Sequence, residues 1–452
     1  MRTQSFRTVA AGVLGAVLLL GAWANSSSRI VLVRIDQAGL AGLPASLASR
    51  ISAHTELEDG WIASLPLEFV GPLRGRRIRI EILDVRTPGR SYFLLDIPPE
   101  RDLSELDALG RSRPVEGRTV LFWTEDGREP REILPADIRI KSLSLEAARD
   151  VLAAASPGLP ARVMGRLFRP PVYDPRIADL VGQVSAAGLS ANILALQNFQ
   201  TRYASTAACE LAGDFLFGYF SALGLKTEAV PFTFATTRSS RNIVAVLPGR
   251  ASPEYVVLVC AHYDSYSGGG SAATLAPGAD DNASGTAAVM EIARIFAGRG
   301  FDFTVKLICF SAEEWGLYGS KDYAQKAKQA GEKILGVLNM DMIAYPDRLP
   351  EDLDIIVNKS SEWLANWFAV CARQYAPIDL ARTVNPSFRS SDHSPFWDQG
   401  FSALCAIEDA SVPNPYYHKT TDLLSTLNMD FAASVTRIVL AVAAGLSQPR
   451  LQ

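Results

Sequence analysis

Four continuous apolar runs constrain the fold of this chain more than any other feature: YVVLVCA at 255–261, TVKLICF at 304–310, ILGVLNM at 334–340 and SALCAI at 402–407. None alternates polar with apolar residues as a strand with one wet face does, so each run reads as a strand buried on both sides. Stretches with helical spacing separate them, SGTAAVMEIARIF, WGLYGSKDYAQKAKQ and SSEWLANWFAVCARQY, and a last one, FAASVTRIVLAVAAGL, follows. Buried strands alternating with helices predict an α/β domain over 176–450, with a largely parallel central sheet covered by helices on both faces. In such a sheet ligands gather beyond the carboxyl ends of the strands. The residues just after each run are therefore the ones to read for chemistry.

Those residues are acids and imidazoles. His262 and Asp264 follow the first run, Glu313 and Glu314 the second, Asp341 stands directly after the third, and His418 lies in the loop after the fourth. Asp281 precedes the helix that begins near Ser284. So many ionisable groups on one rim would repel one another, or be costly to bury, unless cations held them. Imidazole mixed with carboxylate, and no thiolate, suits zinc in an open catalytic site. Two such ions, about 3.5–4 Å apart, need a bridging carboxylate, and Asp281 in the small-residue loop GADDNASG is able to approach both. An acidic pair after a strand is also what a solvated helix N-terminus carries, where the dipole favours it; the other five positions weigh against that reading for Glu313 and Glu314.

Upstream the texture changes. From 29 to 155 short strand patterns, RIVLVRI, GWIASLPLEFV, RRIRIEIL and RTVLFW, are broken by Pro, Gly and charged turns. They predict a small β-rich or α+β domain, either an accessory domain or a prodomain that aids folding or covers the site. A proline-rich stretch at 156–175 reads as the linker. At the N-terminus Arg2 and Arg7 precede an apolar run from Val9 to Trp23, and Ala22, Trp23 and Ala24 offer a cleavage site. Residues 1–24 thus read as a signal peptide, since the run falls short of the ~20 residues a spanning helix needs. The expectation is an exported protein, periplasmic or secreted, without stable membrane insertion after cleavage. A net charge of −4, with no basic block, argues against nucleic acid as a partner. The five cysteines form no dense framework, and at most one disulfide is expected.

AHYDS, GADDNASG, FSAEEWGLYGS, NMDM, SDHSPF and YYHKTTD, in that order, resemble the motifs of the di-zinc exopeptidases typified by the bacterial leucyl aminopeptidases, whose relatives include glutamate carboxypeptidase, glutaminyl cyclase and the transferrin receptor ectodomain. The resemblance runs from about Val181 to Leu446. It implies two Zn2+ per chain, with His262 and Asp341 on one ion, Glu314 and His418 on the other, and Asp281 bridging them. It makes Glu313 the general base and places Asp264 behind His262 as a hydrogen-bond partner of the imidazole. His393 of SDHSPF would shape the pocket rather than bind metal, Asp280 would be structural, and the peptide bond after Asp281 would be cis. The implied reaction is hydrolysis of peptide substrates, first as an aminopeptidase. A carboxypeptidase or other amidohydrolase would add a cation for the substrate carboxylate, for which Arg389 is the candidate. A glutaminyl cyclase would hold a single zinc, and a non-catalytic binding protein is the remaining class.

Overall fold

The structure, a computed structural model, describes residues 30–36, 52–56, 60–76, 78–85, 92–124, 133–135, 137–143, 171–345, 352–408 and 414–449. The signal segment 1–24 and linker residues 156–170 lie outside them. The chain divides into two compact units, Met1–Ala147 and Ala148–Gln452.

The first unit contains β1 (Ile30–Asp36), β2 (Ser52–Glu56), β3 (Gly60–Pro66), a short helix α1 (Val70–Gly75), β4 (Ile80–Val85), β5 (Tyr92–Asp96), β6 (Arg111–Glu116), β7 (Thr119–Trp123) and β8 (Arg139–Leu143). They form two four-stranded sheets, β2-β3-β1-β4 and β6-β7-β5-β8, with antiparallel pairing throughout. The two-residue period of a strand explains how they stack. Val31, Val33 and Ile35 pack with Val70 and Leu73 of α1. On the opposite face Leu32 joins Tyr92, Leu121 and Trp123 of the other sheet.

The second unit opens with α2 (Pro175–Val181), α3 (Ala186–Gln197) and α4 (Ala207–Ala222). Each starts where a capping residue accepts a bond from the first turn: Asp174 from Arg176 N, Ser185 from Gly188 N and Thr206 from Cys209 N. Then follow β9 (Lys226–Phe234), β10 (Arg238–Leu247), β11 (Ser252–His262), α5 (Gly285–Phe296), β12 (Phe303–Phe310), α6 (Tyr318–Gln329), β13 (Lys333–Met340), β14 (Asp352–Val357), α7 (Glu362–Tyr375), β15 (Asp379–Val384), α8 (Ser394–Asp398), β16 (Ala403–Ile407) and α9 (Met429–Ser447). The strands form one eight-stranded sheet in the order β15-β14-β16-β13-β11-β12-β10-β9.

The expected parallel sheet is its centre: β16, β13, β11 and β12 all pair in parallel. The whole sheet is mixed, because β10 runs antiparallel to β12 and to β9, and β14 antiparallel to β16. Alternation along β11 shows both faces covered. Val257 and Val259 pack with the cluster that includes α5 and α9, whereas Val256, Leu258 and Cys260 pack with Tyr323 of α6 and Phe396 of α8. Burying each such Val or Leu contributes roughly 1.5–3 kcal/mol. Helix α9 is long and apolar enough to cross a membrane by length and composition, but 78% of its most apolar window is buried within the protein. It serves as a core helix. All five cysteines are buried free thiols, so no disulfide forms.

Topology fixes where ligands sit. From β11 the chain passes to β12 on one side and then returns to β13 on the other, so the strand order reverses around β11. That switch point opens a crevice at the carboxyl ends of β11, β12 and β13.

Candidate metal centre

His262 is the last residue of β11, Asp341 follows the last residue of β13, and Glu313 and Glu314 lie in the loop after β12. Asp281 occupies the turn into α5, and His418 comes from the loop after β16. The structure brings them into two groups, His262 with Glu313 and Asp341, and Asp281 with Glu314 and His418, each with its donor atoms within 4.8 Å of one another. Asp281 joins the groups: Oδ1 lies 3.3 Å from His262 Nε2 and Oδ2 lies 3.2 Å from His418 Nε2. His262 Nε2 is also 3.4 Å from Asp341 Oδ1 and 3.9 Å from Glu313 Oε2. His418 Nε2 is 2.9 Å from Glu314 Oε2.

Local backbone geometry makes this possible. Gly278 has φ +51°, and a Cβ there would fall 2.4 Å from the Asp281 carbonyl oxygen. At Gly285 a Cβ would meet Asn282 Oδ1 at 2.5 Å and the Met340 carbonyl at 2.6 Å. Only glycine lets the turn close on itself and seat the start of α5 against the end of β13. The Asp281–Asn282 peptide bond is cis. Asn282 Nδ2 donates to the Met340 carbonyl at 2.9 Å, tying the Asp281 turn to the residue before Asp341.

Behind the turn a buried polar frame holds it from two sides. Asp422 accepts from the main-chain N–H of Asp280 at 2.9 Å and of Asp281 at 3.1 Å. Arg202, wholly buried, donates to the carbonyls of Leu196, Tyr263, Pro277 and Gly278. It thereby links the residue after His262 to the residues before Asp281. Arg202→Met would leave these carbonyls without a donor, and a loss of about 3–5 kcal/mol in unfolding free energy is expected, measurable by denaturant titration. Asp280 is likewise a framework residue: Oδ1 accepts from Ala344 N at 3.1 Å and Oδ2 from Asn414 Nδ2 at 3.0 Å.

Asp264 stands behind His262 and meets its imidazole chiefly through the main chain. The imidazole Nδ1 lies 3.1 Å from the main-chain carbonyl of Asp264, whereas the carboxylate oxygen is 3.6 Å away. The carboxylate instead accepts from the main-chain N–H of Glu313 at 3.1 Å and of Glu314 at 3.3 Å. It sets the position of the glutamate pair. His393 is buried elsewhere, with Nε2 3.1 Å from the Phe388 carbonyl and its ring against Trp397, and burial holds its pKa down near 3. It belongs to neither group.

Electrostatics suit a cation. Burial pushes the Glu313 carboxyl well above the usual range and that of Glu314 up to about 8. Burial disfavours charge on both imidazoles, yet the facing carboxylates outweigh it. Glu313 and Asp341 hold His262 well above its ordinary value, while Asp281 and Glu314 bring His418 to about 10. Glu314 Oε1 is buried and has no hydrogen-bond partner. A largely buried set of carboxylate oxygens and imidazole nitrogens, one oxygen unbonded, is the donor chemistry of zinc.

Residues 242–443 match the model of peptidase family M28. This stretch is similar to an M28 peptidase domain. It takes in both groups of donors and most of the eight-stranded sheet. Among relatives, a probable leucine aminopeptidase of Arthroderma otae is 27% identical over 276 residues, 58% of this chain and 73% of that protein. The LapA aminopeptidase of Legionella pneumophila superposes with a TM-score of 0.55 at 15% identity, covering 94% of this chain and all of that one. The zinc aminopeptidase BSAP of Bacillus subtilis superposes with a TM-score of 0.50 at 17% identity, covering 58% and 95%. The structural likenesses establish the fold of this region and of the sheet that carries the site.

Several residues at this centre carry no signal that the sequence alone made visible. Asp422 ends the quoted motif YYHKTTD without having been given a role, and Asp392 of SDHSPF is wholly buried with its pKa pushed up to about 7 by that burial. Arg202 lies far upstream of any motif, and only its contacts reveal it.

Proposed function

We propose that the chain is an exported zinc-dependent aminopeptidase that holds two zinc ions and removes N-terminal residues from peptides. Similarity of residues 242–443 to peptidase family M28 supports a peptidase. One observation carries the finer reading: a single carboxylate, Asp281, presents one oxygen to each of two imidazoles, at 3.3 and 3.2 Å. A carboxylate shared in this way is what a bridged pair of cations needs. His262, Asp281 and Asp341 would hold one ion, and Asp281, Glu314 and His418 the other. Bound zinc supplies a water with a pKa lowered to ~7 and positive charge beside the scissile carbonyl.

The remaining steps belong to the protein. Glu313, placed by the bond from its N–H to Asp264, takes the proton from the attacking water and later delivers it to the leaving amine. Asp264 aligns Glu313 and Glu314 together, so that one faces the reacting water while the other faces His418. The main-chain carbonyl of Asp264 keeps the proton of His262 on Nδ1, leaving Nε2 as the donor atom.

Relatives named leucine aminopeptidase support removal of the N-terminal residue. Arg389, the candidate cation of the carboxypeptidase alternative, is exposed and paired with the Asp398 carboxylate. A panel of peptides decides the matter. Leucyl peptides with a free amine should be hydrolysed by the zinc-loaded protein, and the same peptides blocked by N-acetylation should resist. Cleavage of the blocked peptides from their carboxyl end would overturn the aminopeptidase reading.

A further inference from the structure

The two halves of the centre differ in exposure. His262, Glu313 and Asp341 are buried, while Glu314 and His418 are partly open, with 29% of the His418 side chain accessible. Substrate therefore approaches along the Glu314–His418 side. An exopeptidase of the kind proposed above takes one residue into the closed end and must let the rest of the chain leave through the open one. Whatever lines the open half meets the residue after the scissile bond.

A chain of aromatic rings starts beside His418. Tyr266 sits edge-on to the His418 ring, with centroids 4.9 Å apart. Tyr203 is 6.0 Å from Tyr266 and 5.2 Å from Trp315, the residue directly after Glu314. All three residues are half-buried. Trp315 is fixed from behind: Phe234 meets it edge-on at 5.5 Å and the Arg238 guanidinium lies 4.7 Å over its ring. A cation over an indole is attracted by the ring quadrupole, and packed aromatic neighbours have few rotamers left. The rim is set before substrate arrives, which lowers the entropy cost of binding to it.

We propose that Tyr203, Tyr266 and Trp315 form a subsite for the second residue of the peptide, and that the enzyme favours aromatic or large apolar side chains there. The proposal rests on the aminopeptidase reading for its choice of the second residue. Phenol and indole rings offer apolar area with a preference for offset or edge-on aromatic partners. An acidic side chain would lose its hydration against these rings without gaining a cation partner from them, so it is disfavoured at the same position.

The test is a series of Leu-Phe, Leu-Leu, Leu-Ala and Leu-Glu amides given to the zinc-loaded protein. The kcat/KM for Leu-Phe amide should exceed that for Leu-Ala amide by about tenfold or more, with Leu-Glu amide lowest. Tyr203→Ala and Trp315→Leu should shrink the Phe-to-Ala ratio toward one while zinc content is kept, and Tyr203→Phe, which retains the ring, should preserve it. An unchanged ratio in both ring-removing variants, or no preference in the wild type, overturns the subsite. If no leucyl peptide is cleaved at all, the aminopeptidase reading fails on its own. Calorimetric titration of zinc-loaded Glu313→Gln with the Phe and Ala amides then decides the subsite: about tenfold tighter binding of the Phe amide supports it, and equal or absent binding overturns it.

Discussion

Glu313→Gln is expected to keep its zinc and lose about 10²- to 10⁴-fold in turnover, the usual worth of a positioned acid-base group. Glu313 and Glu314 leave β12 together, and their N–H groups are held by the two oxygens of one carboxylate, Asp264. Neighbouring side chains cannot share a direction, and the distances show the split: Glu314 Oε2 is 2.9 Å from His418 Nε2, while Glu313 Oε2 stays 3.9 Å from His262 Nε2. Glutamine has the size of glutamate and leaves the main-chain bonds to Asp264 in place. Its amide has no basic oxygen able to take and return a proton. The fall should therefore appear in kcat, with KM for a leucyl peptide little changed and elemental analysis unchanged from wild type. Loss of zinc from Glu313→Gln would show that this residue is a ligand, and near-normal turnover would remove it from the chemistry.

Glu314→Ala should have the opposite signature. Wild-type protein is expected to hold two zinc ions per chain after dialysis and to lose activity in chelator; the variant should hold one. Removing Glu314 takes away the carboxylate nearest His418 and leaves Asp281 and His418 as the donors of that group. Metal that binds only the folded protein stabilises it by mass action, about 2.7 kcal/mol at a hundredfold excess over Kd and about 4.1 at a thousandfold. The variant should accordingly unfold at a lower temperature than wild type in zinc, and the gap should close when both are stripped by chelator. Two ions retained in Glu314→Ala, or full activity of metal-free wild type, would refute the di-zinc reading. If the variant kept both ions while Glu313→Gln lost one, the two glutamates would exchange roles.

How much of this was legible beforehand depended on whether a signal was local. The central strands β11, β12, β13 and β16 could be read because burial on both faces writes itself as an unbroken apolar run. The β9–β10 hairpin could not. KTEAVPFTF carries Pro231 and alternating exposed polar residues, the pattern of an edge strand, which resembles loop when read alone. The same holds for β15, DLARTV, at the other edge, where no residue is fully buried. Strand direction reverses inside the two edges, at β10 against β12 and at β14 against β16, so the sheet is mixed where periodicity alone suggested a largely parallel one.

The sequence by itself determined the chemistry of the centre: which acids and imidazoles follow which strands, and that a doubly buried sheet must bring those strand ends to one rim. Only the tertiary structure decided how the residues divide and what holds them. Asp264 spends its carboxylate on the glutamate N–H groups and offers His262 its main-chain oxygen instead. Arg202 reaches four carbonyls from a loop no motif marks, and Tyr203, Tyr266 and Trp315 meet from three separate loops. The physical reason is common to all of them. Periodicity encodes which face of an element is buried, because that repeats every two or 3.6 residues. The direction of a side chain in a loop is set by whichever unpaired carbonyl, N–H or ring the rest of the fold places beside it.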